Sequence, residues 1–273
     1  MKTKDAYDGV VSGLADVAVF MGFQVPGRFD RIEVVSLPML FTSAEAGSRA
    51  MWDIFNKFPQ IQEQWKDVKM LTMWIGEPHF FIASKKLIKT KEDFSGMKMR
   101  TNQALSAEML KLLGASPVII PMPDVYENLQ KGVVDGATMP AEAMVSWKLY
   151  EVASNITEVR TIPPSFQLIM NKQVWESLPK DVQDQIMSVS GEYQAIRFGA
   201  KCNDAAWTAL PGVAEKAGYK LNIYKPPKEE VDRWKAAVQP LYTTWVNDQK
   251  NKGLTNAQEI VDYAIQAAAK YNK

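Results

Sequence analysis

The chain has 273 residues, long enough for one large or two modest domains with a sizeable core. Its 32 basic and 31 acidic residues nearly cancel, so the charge gives no sign of a nucleic-acid or acidic-membrane partner. The single cysteine, Cys202, excludes an intrachain disulfide and argues against a structural zinc site, and no apolar run approaches the ~18–20 residues that span a bilayer.

The first 75 residues alternate apolar stretches with turn signals. The stretches Val10–Phe20 and Ile32–Val35 predict the end of a helix and strands, and Pro26–Phe29 between them predicts a turn. After a break at the following Leu-Pro pair, a helix is expected from about Ser43 to Phe58. Val68–Ile75 is a strong strand candidate.

A compact α/β pattern follows. Residues Thr90–Asp93 resemble a capping box on a short helical turn. Met97–Arg100 predicts a short strand, and Ala104–Leu113 a helix with one apolar face. Val118–Ile120 is β-branched and bounded by prolines, which predicts a buried strand.

The next signals continue this alternation. Asp124 is a plausible N-cap because Glu127 follows three residues later, and Gly132 stands where that helix would end. Val133–Thr138 then predicts another strand. Such short alternation favours parallel pairing, with helices against the faces of the sheet.

The longest helical pattern lies in the second half of the chain. It comes after a predicted helix at Ala141–Tyr150 and a predicted strand at Phe166–Met170, and it begins at Ser177–Pro179. Its apolar residues recur at helical spacing and are Val182, Ile186, Val189, Tyr193, Ile196 and Ala200. The pattern can persist to Leu210, which gives about 30 residues and roughly 45 Å. Either one helix runs along two lobes, or the helix pairs with a coiled-coil partner.

The C-terminal region predicts three further helical segments. Pro226–Pro240 and Leu241–Gln249 form a helical pair in which Trp234 and Trp245 are expected to pack. Thr255–Gln258 predicts a cap on a final amphipathic helix through Ala269. Its predicted inward residues are Ile260, Ala264, Ile265 and Ala268.

Arg100 is the main candidate for a binding residue. It falls at the carboxyl end of its predicted strand, just before a helix, and open α/β sheets bind ligands in the crevice beyond such ends. A guanidinium there can hold a carboxylate bidentately, with each charge-assisted bond worth roughly 1.5–3 kcal/mol. The alternative is that Arg100 pairs with a surface acid, since most arginines are solvated.

An ordered series of residues in this region carries a resemblance to a known family. The series is Gly96, Lys98, Arg100, Gly114, Ala115, Pro117, Asp124, Tyr126, Leu129, Gly132, Asp135, Gly136 and Pro140. In order and spacing it resembles the central signature of the solute-receptor proteins of TRAP (tripartite ATP-independent periplasmic) transporters, the dicarboxylate-receptor-like family. The resemblance extends from Gly9 to the C-terminus.

The resemblance implies an α/β, two-lobe, periplasmic-binding-protein-like fold (type II-like) with a long helix spanning both lobes. The first lobe is expected to comprise residues 1–77 plus 164–205, and the second residues 78–163 plus 206–273. The basic start of the chain has no apolar segment of a signal peptide. The family is exported, so we expect the first lobe to be incomplete at its N-terminus.

The implied function is that of an extracytoplasmic, periplasmic receptor that captures a small organic carboxylate and delivers it to TRAP membrane subunits. No nucleic-acid partner, membrane insertion, cofactor or metal is expected. The alternative is a ligand-sensing domain of the same fold that acts in signalling. An enzyme is not expected, because the sequence lacks the Gly-x-Ser-x-Gly, P-loop, Gly-x-Gly-x-x-Gly and His-Glu-x-x-His motifs.

The resemblance maps the carboxylate-bridging arginine of the family onto Arg100. The other candidate ligand-binding residues are Phe80, Met139, Trp74, Phe20, Met21, Gln103, Phe166, Gln167 and Glu77. Phe80 and Met139 replace an arginine and an asparagine of sialic-acid receptors, which favours a monocarboxylate with an apolar or aromatic tail.

Two groups of residues near this site have a plain structural interpretation. Phe20 and Met21 fit the cleft or the core equally well. His79, the single histidine, has no nearby nucleophile motif or second metal ligand, so a structural role is expected. Glu77 and Pro164 mark the expected strand crossings between the lobes.

Overall fold

Two β-sheets organise the part of the chain that the computed structural model describes, residues 3–272. Residues 1, 2 and 273 lie outside that range. They are the first two residues of the basic N-terminal start, which the first lobe was expected to include, and the last residue of the expected second lobe. The strands are β1 (Val17–Phe20), β2 (Val68–Ile75), β3 (Phe80–Ala83), β4 (Lys98–Thr101), β5 (Ser116–Ile119), β6 (Gly136–Met139), β7 (Asn155–Thr157), β8 (Ser165–Asn171) and β9 (Asn222–Tyr224).

The α-helices are α1 (Ala6–Val11), α2 (Ala44–Lys57), α3 (Pro59–Gln62), α4 (Ala104–Leu113), α5 (Val125–Gln130), α6 (Ala141–Ser146), α7 (Lys172–Ser177), α8 (Lys180–Ser188), α9 (Gly191–Arg197), α10 (Ala205–Lys216), α11 (Lys228–Val238), α12 (Pro240–Asn251) and α13 (Ala257–Tyr271). A π-helical segment, Phe198–Asp204, joins α9 to α10. Within residues 3–272, no helix is both long and apolar enough to cross a membrane.

The first lobe is built on a three-stranded antiparallel sheet with the order β1-β8-β2. The predicted strand at Ile32–Val35 is wrong, because this segment is a 3-10 helix, Ile32–Ser36. Its i, i+3 geometry brings the Ser36 hydroxyl to the Glu33 carboxylate, to which it donates at 2.9 Å. The predicted helix from Ser43 is confirmed, and the Ser43 hydroxyl accepts a hydrogen bond from the Ala46 N–H at 3.1 Å.

The second lobe is built on a six-stranded mixed sheet with the order β5-β4-β6-β3-β7-β9. The predicted parallel pairing is confirmed for β4 with β5 and with β6, whereas β3 runs antiparallel to β6 and β7. The predicted burial of Val118–Ile120 holds for Ile120, which is 8% exposed, but is wrong for Ile119. Strand β5 lies at the edge of the sheet, paired on one side, and Ile119 is 63% exposed.

The strand predicted at Val133–Thr138 begins only at Gly136. Asp135 explains the delay, since its N–H donates to the Lys98 carbonyl and its carboxylate accepts from the Lys98 N–H, both at 2.8 Å. These bonds fix the preceding residues in a turn against the start of β4. The strand predicted at Phe166–Met170 is confirmed and is one residue longer at each end.

Two predicted helix caps differ from the observed ones. Asp124 occupies the predicted N-cap position of α5, but its side chain makes no capping hydrogen bond, because a 3-10 turn precedes α5 and Asp124 already has near-helical φ and ψ of −93° and −5°. At the last helix the N-cap is Asn256 rather than Thr255, with no side-chain bond. The capping box at Thr90 is confirmed, since the Asp93 carboxylate accepts from the Thr90 N–H at 3.0 Å.

Two further helix predictions need correction. The helix predicted at Ala141–Tyr150 ends early, because Lys148 has a φ of +53° and a separate 3-10 turn follows it. In α13, Ile265 was expected to face inward, but it is 45% exposed. The inward row continues through Ala264 and Ala268 instead, and Ala267 packs beside them.

The long helix exists, but with different ends from those predicted. Helices α9 and α10 and the π segment between them run without interruption over residues 191–216, about 40 Å at 1.5 Å per residue. The expected start is wrong, because the chain breaks at Val189 and Ser190 after α8. The expected end at Leu210 is also wrong. The helix continues through Pro211 because Leu210 and Ala214 pack in the second-lobe core.

Two glycines of the long helix are expected to respond in opposite directions to alanine. A Cβ at Gly199 would lie 2.9 Å from the backbone of Ala44 and Glu45, whereas a Cβ at Gly212 would meet nothing within 4 Å. Gly199→Ala should therefore cost about 1–3 kcal/mol of unfolding free energy through overpacking. Gly212→Ala should gain up to about 1 kcal/mol through helix propensity. Urea unfolding of both variants checks this, and an equal response from the two glycines would contradict the close helix contact.

The buried side chains divide into a first-lobe core and two second-lobe clusters on either side of the six-stranded sheet. The expectation that residues 206–273 all belong to the second lobe is wrong for the last part. Trp245 and α13 belong to the first-lobe core, where α13 packs on α2. Ala264 and Ala268 are among the buried residues of α13 in this core.

Candidate functional site

Arg100 is a buried cation with no acidic partner. It is 2% exposed, and within residues 3–272 no carboxylate lies within 4.0 Å of its guanidinium. Its Nε donates to the Ile120 carbonyl at 2.9 Å, and its Nη1 lies 3.7 Å from the Met139 sulfur. Burial lowers the pKa of Arg100 to about 10, so it still carries its charge at neutral pH. A buried charge without a counter-ion is costly, which points to an anion from outside the chain.

The local fold explains why Arg100 lies at this position. It is the third residue of β4, opposite Ala137 of β6, and its strand ends one residue later. Helix α4 begins three residues further on, after Gln103 as its N-cap residue. The cation thus lies at the carboxyl ends of two parallel strands and near the positive end of a helix, the position where α/β folds bind anions.

Phe80 and Met139 form an apolar wall beside this cation. They face each other across β3 and β6, and both are buried. Met139 contacts the Arg100 guanidinium directly, and the Phe80 ring meets Trp207 of the long helix edge-to-face at 5.0 Å. The structure therefore brings three predicted site residues together at one end of the second-lobe sheet.

Two buried polar atoms at the same end have no hydrogen-bond partner within the described residues. They are the Gln103 Nε2 and the His79 Nδ1. Burial, with a smaller contribution from the charge of Arg100, lowers the pKa of His79 to about 3, so the ring is neutral. Sequence reasoning assigned His79 a structural role.

Trp74 and Phe166 lie at the end of the first-lobe sheet. They are opposite each other in β2 and β8, and their rings stack at 5.2 Å with an interplanar angle of 13°. Phe198 of the π segment lies 4.7 Å from Trp74. A Cβ added to Gly76 would lie 3.1 Å from the Phe166 ring, so this aromatic group borders the crossing between the lobes.

Phe20 is a core residue, which corrects its assignment to the cleft. Its ring packs with those of Tyr7, Phe29 and Trp65 at centroid distances of 5.9, 5.4 and 5.8 Å. The neighbouring Met21 is half-buried and directly precedes a 3-10 turn.

Gln167 is also internally satisfied rather than available to a ligand. Its Oε1 accepts from the Gly22 N–H at 2.9 Å, and its Nε2 donates to the Ser165 hydroxyl at 3.2 Å. A ligand would have to displace these bonds, so the structure argues against Gln167 as a contact residue. Its role is to hold the Gly22 turn against β8.

Glu77 is the last predicted site residue that the structure reassigns. One carboxylate oxygen forms an ion pair with Arg160, and the other accepts from the Ala141 N–H at 2.7 Å. Burial raises the pKa of Glu77, and the charge of Arg160 opposes that rise. With both oxygens occupied, Glu77 connects the crossing segment to α6.

A cavity of about 750 Å³ lies beside this ion pair but does not include Arg100. It is lined by charged residues from both lobes, among them Glu45, Arg49, Arg160 and Asp204. Arg49 pairs with Glu45, and Asp204 accepts from the N–H groups that begin α2 at 2.7 and 3.0 Å. Because these charges have partners, the cavity offers no free anion anchor comparable to Arg100.

The sequence profile of one protein family decides the classification. The family is described as "Bacterial extracellular solute-binding protein, family 7", and its profile matches residues 1–249. The chain belongs to this family. The predicted resemblance and the two-lobe α/β fold are thereby confirmed.

Solved members of this family of TRAP solute-binding proteins are similar over the whole chain. One is a protein from Rhodoferax ferrireducens T118 that was solved in complex with copurified benzoate. It is 30% identical to this chain, with a TM-score of 0.88, and the match covers 99% of this chain and 84% of that protein. Another is a marine metagenome protein specific for aromatic acid ligands, solved in complex with metahydroxyphenylacetate. It is 30% identical to this chain, with a TM-score of 0.89, and the match covers 100% of this chain and 85% of that protein.

A curated relative carries a different ligand in its name. The C4-dicarboxylate-binding periplasmic protein DctP of Rhodobacter capsulatus is 29% identical over 215 residues, which is 77% of this chain and 62% of the relative. The chain thus spans somewhat less than two thirds of that relative's length.

Proposed function

We propose that this chain is the periplasmic solute receptor of a TRAP transporter and that it captures a small organic monocarboxylate with an aromatic or apolar tail. The observation that carries the proposal is the buried guanidinium of Arg100, which pairs with no acid in the part of the chain that the structure describes. A carboxylate from the solute would supply the missing countercharge through bidentate hydrogen bonds.

The number of buried cations favours one carboxylate rather than two. Arg100 is the only lysine or arginine that is buried within residues 3–272. A dicarboxylate would bring a second anion into the cleft, and desolvating it without a cation is costly. This argues against the C4-dicarboxylate specificity named for the Rhodobacter relative.

The apolar residues around Arg100 favour an aromatic or apolar tail. Phe80 and Met139 supply this surface on the second lobe, with the Trp74 and Phe166 pair on the first. The aromatic rings and the Met139 thioether pack well on the ring of an aromatic solute. They offer no hydrogen bonds to replace the hydration of sugar hydroxyls. The benzoate and hydroxyphenylacetate complexes of the similar TRAP proteins support this class.

The proposed mechanism is closure of the two lobes over the bound solute. Two segments cross between the lobes side by side, with the Gly76 N–H donating to the Pro164 carbonyl and the Thr161 N–H donating to the His79 carbonyl, both at 2.8 Å. Bending there would bring the first-lobe aromatic pair toward Arg100. The ligand shifts the population toward the closed form. The size of this shift is set by how much more tightly the ligand binds the closed form than the open form. The closed receptor then delivers the solute to the membrane subunits.

A thermal-shift series with matched ligands tests the proposal. Benzoate or phenylacetate, at about 100 times its Kd, should stabilise the protein by about 2.7 kcal/mol, which is roughly 5–10 °C in Tm for a protein of this size. Benzamide at the same concentration should give no shift, because it lacks the anion. A shift with succinate alone would contradict the monocarboxylate assignment, and a shift with glucuronate alone would contradict the aromatic or apolar tail. No shift with any carboxylate would contradict the receptor function.

A further inference from the structure

The half-buried Trp207 of α10 connects the apolar wall of the site to a charged pair outside it. Its ring meets the Phe80 ring edge-to-face at 5.0 Å, with an interplanar angle of 61°. The Arg160 guanidinium lies over the same indole, with its Cζ 4.7 Å from the ring centroid. That distance is within the roughly 6 Å over which a cation and an aromatic ring attract each other. Trp207 therefore contacts both a predicted site residue and a cation.

Arg160 is itself fixed in place, so the indole has a rigid support. Its guanidinium forms the ion pair with Glu77, whose side chain is 1% exposed. The other carboxylate oxygen of Glu77 accepts from the N–H of Ala141, the first residue of α6, at 2.7 Å. Helix α6 in turn packs on α10, the helix that carries Trp207. These contacts hold the indole against the second lobe.

The cavity beside Trp207 shows why the size of this side chain matters. Trp207 lines the cavity of about 750 Å³ together with Glu77 and Arg160. It also packs against the second-lobe cluster in which Phe80 and Met139 are buried. A smaller side chain at position 207 would enlarge the cavity next to the Phe80 ring, and that ring would lose the dispersion contacts that now hold it.

We propose that Trp207 is a positioning residue for solute binding, because it holds the Phe80 ring in the orientation that packs on the aromatic tail of a bound monocarboxylate. Trp207 acts through Phe80, while Arg100 anchors the carboxylate. This inference rests on the proposed receptor function, in which Phe80 forms part of the apolar surface around the anion. It predicts that residue 207 influences solute affinity only when the ring at position 80 is present.

A double-mutant cycle measured by calorimetry with phenylacetate tests the inference. Trp207→Leu should weaken binding about 3–10-fold, because the contact between two aromatic rings is lost. In a Phe80→Leu background, which has no ring to hold, the same substitution should change the affinity by less than about 2-fold. Trp207→Met should give the same pattern, and it replaces the leucine variant if that variant does not fold.

Two further variants separate positioning from a general loss of stability. Trp207→Phe keeps a ring against Phe80 and Arg160 and should retain the wild-type affinity within about 2-fold. Trp245→Leu removes a tryptophan of the first-lobe core, whose Nε1 donates to the Asp30 carbonyl at 3.2 Å. It should lower the Tm and leave the phenylacetate affinity unchanged.

Three outcomes would overturn the inference and leave the receptor function intact. They are wild-type affinity in Trp207→Leu, an equal loss from that substitution with and without the Phe80 ring, and an equal loss from Trp245→Leu. If phenylacetate does not bind the wild-type protein, the inference fails. The receptor function fails with it only when the thermal-shift series also shows no stabilisation by any carboxylate.

Discussion

Replacing Arg160 by methionine should lower the unfolding free energy by about 3–5 kcal/mol at pH 7.5. The substitution removes the partner of Glu77 and leaves a carboxylate that is 1% exposed without its countercharge. Among the described residues, the one remaining hydrogen bond to that carboxylate is the donation from the Ala141 N–H. Methionine keeps much of the volume of the arginine stem, so the loss reports the stranded charge rather than a cavity. Urea unfolding measures it.

The size of this loss should depend on pH in a definite direction. Burial already raises the pKa of Glu77 above its ordinary value, and removing Arg160 takes away the charge that opposes the rise. The folded variant then binds a proton more tightly than the unfolded chain does, so its stability falls as pH rises from about 4.5 through the folded pKa. The cost of Arg160→Met should therefore be clearly smaller at pH 5 than at pH 7.5.

Two comparisons isolate the buried pair. Arg49→Met breaks the Arg49–Glu45 pair, whose side chains are 35% and 38% exposed, and should cost no more than about 0.5 kcal/mol at either pH. Adding Glu77→Gln to Arg160→Met should recover stability and remove the pH dependence. An Arg160→Met loss that is the same at pH 5 and pH 7.5 would show that Glu77 does not carry the stranded charge.

Local signals in the sequence predicted much of the second lobe. The strand ending near Arg100 and the helix Ala104–Leu113 were both read from short-range patterns, and both are confirmed. Such patterns are informative because hydrophobic period, capping and turn residues act within a few positions along the chain. The placement of Arg100 at a strand end follows from the same local information.

The sequence could not predict contacts that join distant segments. The Gln167 amide is held by the Gly22 N–H 145 residues away, and Glu77 by Arg160 83 residues away. Both side chains therefore looked available for a ligand until their partners were known. The assignment of the C-terminal helix to the wrong lobe has the same cause, since its packing on α2 is set by tertiary contacts.

The long helix shows how packing overrides local breakers. A proline followed by glycine at Pro211 predicted its end, yet the second-lobe contacts of Leu210 and Ala214 carry it onward. Conversely, exposed Val189 continued the apolar period but lies where the helix breaks. Periodicity alone does not distinguish an inward apolar residue from an exposed one.

Arg100→Met is expected to abolish solute binding while preserving the fold. A bidentate carboxylate–guanidinium pair contributes two charge-assisted hydrogen bonds of about 1.5–3 kcal/mol each, so losing both weakens binding at least about 100-fold. Methionine fills the volume beside Met139 and carries no charge. Arg100→Lys is the matched control that keeps the charge but loses the fork geometry, and it should bind with intermediate affinity.

Isothermal titration of the best aromatic monocarboxylate into wild-type and Arg100→Met protein tests the central claim most directly. We expect a measurable heat of binding with the wild type and none with the variant at the same concentrations, while the circular dichroism spectra of the two proteins coincide. A variant that folds and binds the acid with wild-type affinity would show that the carboxylate is held elsewhere.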